Sequence, residues 1–271
     1  MIKIAVFQSD ATPPLGSPLC HGGVKPAKKI VAPLSTRGIV ILGAEKPVVL
    51  CAVDWVCISG NGHDFWRKVL AESAGTTVER VTVHTIHPHD APGHIFSSED
   101  LADLKDTADM TQDTAFAESA VRKAAEALKA SLATAKPVTH YGYGKAKVSQ
   151  VASNRRILGS DGRVAHMRWS SCPDKALRDL PEGLIDPWLQ NLSFWNGEER
   201  LFRSLIMPPI RKVFTKMARL IRTLSAWRAP SGKQPCRMWL ICILTAAAEI
   251  SRPANITTAR QKTVLFWPSV C

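Results

Sequence analysis

A chain of 271 residues, 45% hydrophobic and 21% charged, is long enough for one large or two ordinary domains. Its seven cysteines, an odd number at irregular spacing, argue against a disulfide framework. The +12 net charge lies in one place: residues 1–199 hold 22 Lys/Arg and 22 Asp/Glu, whereas residues 200–271 hold 13 Lys/Arg against a single acid, Glu249. No 18-residue apolar run exists, and the longest candidate, Met238 to Ala248, is too short to span a bilayer. Met1 to Phe7 is too short for a signal peptide and has no small-residue cleavage site, so a cytoplasmic location is expected.

Taken in chain order, Ile2 to Phe7 reads as a buried first strand. Asp10-Ala-Thr-Pro-Pro-Leu-Gly-Ser-Pro18 follows as a rigid turn-rich segment. Gly38 to Leu42 and Pro47 to Asp54 are two apolar runs joined by Gly43-Ala-Glu-Lys46, which predicts a hairpin within a sheet. Asp64 to Ser73 is a short amphipathic helix and Val78 to His84 another strand. Ser97-Ser-Glu-Asp100 carries a hydroxyl cap and first-turn acids, the signature of a helix start. Thr114 to Ala135 reads as a long Ala-rich helix ending before Pro137, and Lys145 to Val151 alternates as a strand. The interleaving predicts an α/β fold, a layered mixed sheet with flanking helices. The tail is expected to be irregular or to form isolated helices.

Two clusters carry chemistry. Cys51, Cys57 and His63 can be drawn as a zinc site, but the spacing fits no common zinc pattern, and buried strand thiols are the plainer reading. His84-Thr-Ile-His87-Pro-His89-Asp90 follows a β-rich run and so lies near the C-terminal end of a strand, where sheet-based enzymes place chemistry. Imidazole is a common zinc ligand. On an extended strand His87 and His89 would share a face, with Asp90 available to orient one ring. The alternative is a set of exposed loop histidines. There is no G-x-S-x-G elbow and no phosphate-binding G-x-x-x-x-G-K-[ST] in the chain.

Several segments together resemble the neutral/alkaline non-lysosomal ceramidase family, in a bacterial branch. Asp10-Ala-Thr-Pro-Pro-Leu-Gly-Ser-Pro-Leu19 resembles the family's D-I-T-P-P-x-G-x-P-L. Ala32-Pro-Leu-Ser-Thr-Arg-Gly-Ile-Val-Ile-Leu42 is similar to D-P-L-x-A-R-x-x-V-L, with Ala32 replacing the usual Asp. His87-Pro-His89-Asp90-Ala-Pro92 looks like H-T-H-S-G-P, and Asn154-Arg155 resembles an N-R dipeptide near the substrate. The likeness covers roughly residues 1–199. It implies a zinc amidohydrolase with four metal ligands: two His, a Glu and a Tyr. It places the first ligand at His87, puts His89 beside the metal with Asp90 next to it, and assigns Asn154 and Arg155 to substrate. A structural arginine is the other reading of Arg155. The implied substrate is a small-molecule or lipid N-acyl amide; no nucleic acid partner is implied, and the oligomeric state is left open.

After a strand such as Leu192-Ser-Phe-Trp-Asn-Gly197 the family continues with Y-A-T-H-P, then D-F-x-G-x-A, then N-G-C-x-G-N-I. None of these is present. Regrouping the codons of the tail, so that each third base joins the next two, allows all three in order. Leu205 to Ala218 then permits Y-Y-A-T-H-P-Q-S-F-Y-Q-D-G. Three letters are forced, and all fit: Met207–Pro208 gives Ala, Met217–Ala218 gives Gly, and Met238–Trp239 gives Val. The reading that follows is a ceramidase-like N-terminal fragment over 1–199 and an out-of-frame basic tail over 200–271, shifted near Glu199–Arg203. Zinc belongs to the intact relatives, and with one ligand of four this chain is not expected to hold it tightly or to be active. The competing reading is a non-enzymatic basic protein. Val213, Met217, Leu220, Ile221, Leu224 and Trp227 line one side of a helical pattern over 211–227, suited to a membrane surface or nucleic acid phosphates.

Overall fold

The computed structural model describes residues 1–95, 114–149, 153–168 and 172–206, together with the backbone of Arg219–Leu220 and Leu240–Cys242. The architecture is mixed α/β, several sheets with few helices, as the interleaved pattern predicts. The described residues fall into two compact units, one built on Met1–Gly142 and Leu192–Leu205, the other on Tyr143–Asn191.

The first unit begins with β1 (Lys3–Asp10), β2 (Lys29–Ile30), β3 (Ser35–Leu42), β4 (Val48–Val53) and β5 (Cys57–Ser59). These are followed by α1 (Asn61–Ala74), β6 (Val81–Thr85), β7 (Gly93–Ile95), α2 (Thr114–Ser131) and β8 (Lys136–Pro137). Five strands form one sheet in the order β6-β4-β3-β1-β8. The expected hairpin is β3–β4, antiparallel, with Thr36 opposite Val53 and Ile41 opposite Val48. β4 and β6 run parallel. Parallel neighbours need a crossover connection, and α1 supplies it.

Both long helices pack on the sheet. The buried face of α2 is Ala117, Ala120, Val121, Ala124 and Leu128. These recur at helical spacing, and the small side chains let the helix lie close to β1. On α1 the buried residues include Trp66, Leu70 and Ala74, and Gly75 ends the helix at φ +66, the left-handed cap that glycine adopts without a Cβ penalty. Burying Leu70 or Leu128 contributes about 2 kcal/mol each. Trp55 and Trp66 meet edge to face at 5.8 Å, and the Trp55 Nε1 donates to the Ala11 carbonyl at 2.9 Å.

One row of the sheet shows how sequence sets packing. Phe7 lies opposite Gly38, and Gly38 opposite Cys51. A Cβ at position 38 would stand 2.2 Å from Phe7 Cζ and 2.6 Å from the Leu50 carbonyl oxygen. The glycine leaves the space that the phenyl ring fills.

Polar groups seal the end of β4. Asp54 accepts from the Ser35 backbone N–H at 2.9 Å and from the Ser35 hydroxyl at 2.8 Å, and it faces Arg37 at 3.4 Å. The Arg37 Nε in turn donates to Ser35 Oγ at 2.8 Å. All three residues are buried.

The second unit holds β10 (Arg156–Leu158), β11 (Val164–Met167) and α3 (Lys175–Asp179), preceded by β9 (His140–Lys147) and followed by β12 (Trp188–Asn196) and β13 (Glu199–Ile206). β9, β12 and β13 each carry residues assigned to both units. β10 and β11 pair antiparallel around Gly162, at φ +76. The Asp174 side chain caps α3 by accepting from Ala176 N at 2.8 Å. β12 and β13 join through a turn at Gly197, φ +55, as tight hairpins require.

Several elements differ from expectation in their bounds, β1, β3 and α1 by being longer. The strand predicted over Val78 to His84 is β6, and Val78–Arg80 ahead of it forms a 3-10 turn. The Ala-rich helix gives way to a 3-10 turn at Leu132–Thr134. The strand expected over Lys145 to Val151 is β9, beginning at His140 and ending at Lys147. Its alternation extends towards the N-terminus because the ladder with β12, not local propensity, sets its length. The predicted helix start at Ser97 lies outside the described residues, as does most of 200–271. The expected boundary after residue 199 falls within β13. Arg219–Leu220 pairs parallel with β2, and Leu240–Cys242 with Arg203–Leu205.

Removing the buried Asp54 carboxylate leaves the Ser35 and Arg37 donors without this acceptor. Asp54→Ala is expected to cost about 3 kcal/mol in a urea melt, whereas Asp64→Ala, in an exposed pair with Arg67, changes stability by about 0.5 kcal/mol or less. Equal effects from the two variants would show that the Asp54 cluster is not a main support of the sheet.

Candidate functional site

The loop after β6 is fastened to the segment after β4. Ile86 N–H donates to Val53 O at 3.2 Å, His87 N–H to Trp55 O at 3.1 Å, and Val56 N–H to Pro92 O at 2.8 Å. The Ala91 carbonyl accepts from Cys20 N–H at 2.9 Å. The histidine cluster thus sits where the sequence pattern places it, at the C-terminal end of a strand.

His87 and His89 are not on extended backbone. β6 ends at Thr85, and His87 takes a left-handed φ of +56. A non-glycine residue there carries local strain, offset by the bonds around it. The two rings still come together, edge to face, with centroids 5.2 Å apart. The turn, rather than strand alternation, produces the juxtaposition.

The His87 Nδ1 lies 2.5 Å from the Val56 carbonyl oxygen. A carbonyl can only accept, so Nδ1 carries the proton and Nε2 keeps its lone pair. This is the arrangement by which a backbone carbonyl fixes a ligand histidine's tautomer. His87 is exposed, His89 half-buried and Asp90 buried. The His87 side chain therefore fits a metal ligand. The described residues as a set do not fit a zinc centre, because no three His, Cys, Asp or Glu side chains among them gather where one ion could be held.

Cys51, Cys57 and His63 go separate ways. Cys51 is fully buried in the sheet, and burial pushes its thiol well above the ordinary range. The His63 Nε2 bonds the Val83 carbonyl at 3.1 Å. Cys57 meets another residue, His21, at 3.0 Å. The reading of Cys51 as a buried strand thiol holds.

Asn154 and Arg155 belong to the second unit. The Asn154 side chain donates to Leu184 O at 3.0 Å and accepts from Arg156 N–H at 2.9 Å, so its amide organises its own loop. Arg155 is partly buried, which lowers its guanidinium pKa through desolvation. Sequence reasoning did not single out Arg168, which holds this region together. Fully buried, it donates to the carbonyls of Asn154, Leu177, Leu180 and Pro181 at 2.8–3.1 Å. Its own N–H donates to Arg155 O at 2.8 Å. A lone arginine in a short strand-like run gives no sequence signal for such a role.

Fold and site together define a sheet-based α/β protein with a histidine pair on a strand-end loop. No protein-family model matches the chain, and no curated protein matches it. Among solved structures it is similar to a ceramidase complexed with C2, with 18% identity and a TM-score of 0.52 over 78% of this chain. It is also similar to the neutral ceramidase from Pseudomonas aeruginosa, with 19% identity and a TM-score of 0.53 over 78% of this chain. The fold is ceramidase-like. The chain spans about a third of those proteins' length, 31% and 32% respectively.

Replacing the fully buried Arg168 by Met removes four hydrogen bonds to carbonyls, worth on the order of 1 kcal/mol each. Amide exchange across 153–184 is expected to accelerate at least tenfold in Arg168→Met, and to stay near the original rate in Arg163→Met, whose side chain is exposed. Unchanged exchange in Arg168→Met would remove the hub assignment.

Proposed function

We propose that the chain is the N-terminal part of a neutral-ceramidase-like amide hydrolase, inactive in the form given by this sequence. The observation that carries this reading is the His87–His89 pair on the strand-end loop, with His87 Nδ1 held by the Val56 carbonyl. The ceramidase-like fold supports it. His87 is assigned as the metal ligand, with His89 and Asp90 as catalytic neighbours and Asn154 and Arg155 as substrate contacts. The substrate class of the intact form is a lipid or small N-acyl amide, as the solved ceramidases suggest. Among the described residues no helix is long and apolar enough to cross a membrane.

The tail over 200–271 is proposed to be an out-of-frame translation. It holds 13 Lys/Arg and one acid, and its codons regroup into three segments of the resembled family. The second histidine ligand belongs to one of those segments. Without it a catalytic zinc site lacks its usual three protein ligands. The amphipathic pattern over 211–227, the basis of the membrane or nucleic-acid alternative, lies outside the described residues except for Arg219–Leu220.

Two proteins compared side by side test this: the 271-residue chain, and the form with the frame restored at Glu199–Arg203 and the downstream gene attached. The restored form is expected to bind about one zinc per chain and hydrolyse an N-acyl amide. His87→Ala in that form abolishes both. The 271-residue chain is expected to show neither; stoichiometric tight zinc or turnover in it would falsify the fragment reading.

A further inference from the structure

A second chemical cluster lies in the first unit. Cys57 opens β5, and its sulfur stands 3.0 Å from the Nε2 of His21. The His94 backbone N–H and the Ser59 hydroxyl also hydrogen-bond that sulfur. Cys20 is close enough for charge on one sulfur to be felt by the other. Groups from three separate segments, at 20–21, 59 and 94, thus surround one half-buried thiol.

The imidazole is held there against backbone preference. Cys20, His21 and Gly22 take φ of +47, +52 and +76, three left-handed residues in a row. For the two with side chains this conformation is strained, because Cβ crowds the following carbonyl oxygen. The ring lies directly on Gly93, where a Cβ would stand 2.4 Å from both Cε1 and Nε2. Strain of this kind persists where surrounding contacts impose it, and it concentrates at working sites.

We propose that Cys57 is a thiol modification site for small soft electrophiles, with His21 as the base that takes the thiol proton. This does not depend on the amide-hydrolase reading. In the tautomer that leaves Nε2 its lone pair, Sγ–H donates to it. As the sulfur attacks an electrophilic carbon, the S–C bond forms and the carbon–halide bond of a haloacetamide breaks, its electron pair leaving as halide. The thiol proton passes to Nε2. The His94 N–H and Ser59 hydroxyl then stabilise negative charge on sulfur as the proton leaves. Burial, the largest influence on this thiol, holds its pKa above the ordinary range, so free thiolate is scarce and reaction needs the adjacent base.

The test is pulse labelling of the full chain with iodoacetamide at neutral pH, read by peptide mass spectrometry. Cys57 is expected to label several-fold faster than Cys20, which has similar exposure, and faster than buried Cys172. His21→Asn is expected to slow Cys57 labelling about tenfold, the lower range of a lost general base. Fully buried Cys51 serves as the fold reporter and stays unlabelled. If His21→Asn exposes Cys51, the Cys57-to-Cys20 rate ratio in the unaltered chain decides. Labelling of Cys57 no faster than Cys20, or an unchanged rate in a folded His21→Asn protein, overturns the proposal.

Discussion

The first unit depends on four residues, Asp54 to Cys57, that leave the sheet yet stay bonded on every side. The Asp54 carboxylate ties them to Ser35 at the start of the hairpin. Trp55 reaches the Ala11 carbonyl with its ring and the His87 N–H with its backbone. Val56 holds Pro92 through its N–H and the His87 ring through its carbonyl. Cys57 begins the short strand that pairs with β7. A backbone held by this many hydrogen bonds cannot drift without breaking several together, so the two histidine-bearing loops inherit its position.

This arrangement explains how a weakly periodic loop becomes an ordered site. His87, Pro88 and His89 contain little that would fix a conformation by propensity. The order comes from the parallel ladder beneath, β4 with β6, and from carbonyls directed at the loop from the segment beside it. Rigid sheet positions thereby transfer their precision to a loop, where binding chemistry commonly resides. The same carbonyl that positions His87 also selects its tautomer, so placement and electronic state have one cause.

Elements defined by local pattern were legible from sequence. β1, the β3–β4 hairpin, α1 and α2 carry apolar periodicity or turn residues within a few positions of one another. What depended on distant partners was not legible in the same way. β9 begins five residues earlier than its own alternation suggests because it pairs with β12, nearly fifty residues away. His21 and Cys57 are 36 positions apart, and neither lies in a pattern that names the other. His87 and His89 come together through a left-handed turn rather than the strand alternation expected, since either geometry can bring neighbours together. Arg168 draws on carbonyls ahead of, within and after α3, information that no short window of sequence contains.

The fit of Phe7 over Gly38 carries a consequence for how such a sequence can change with time. The two positions face each other on adjacent strands, and the ring occupies the volume that a side chain at 38 would need. Neither can be altered independently. A larger residue at 38 is admissible only after the aromatic ring at 7 has been replaced by something shorter, and a shorter residue at 7 opens a void until 38 fills it. Substitutions at these sites should therefore arise in pairs and in a restricted order, a historical constraint imposed by one missing methyl group.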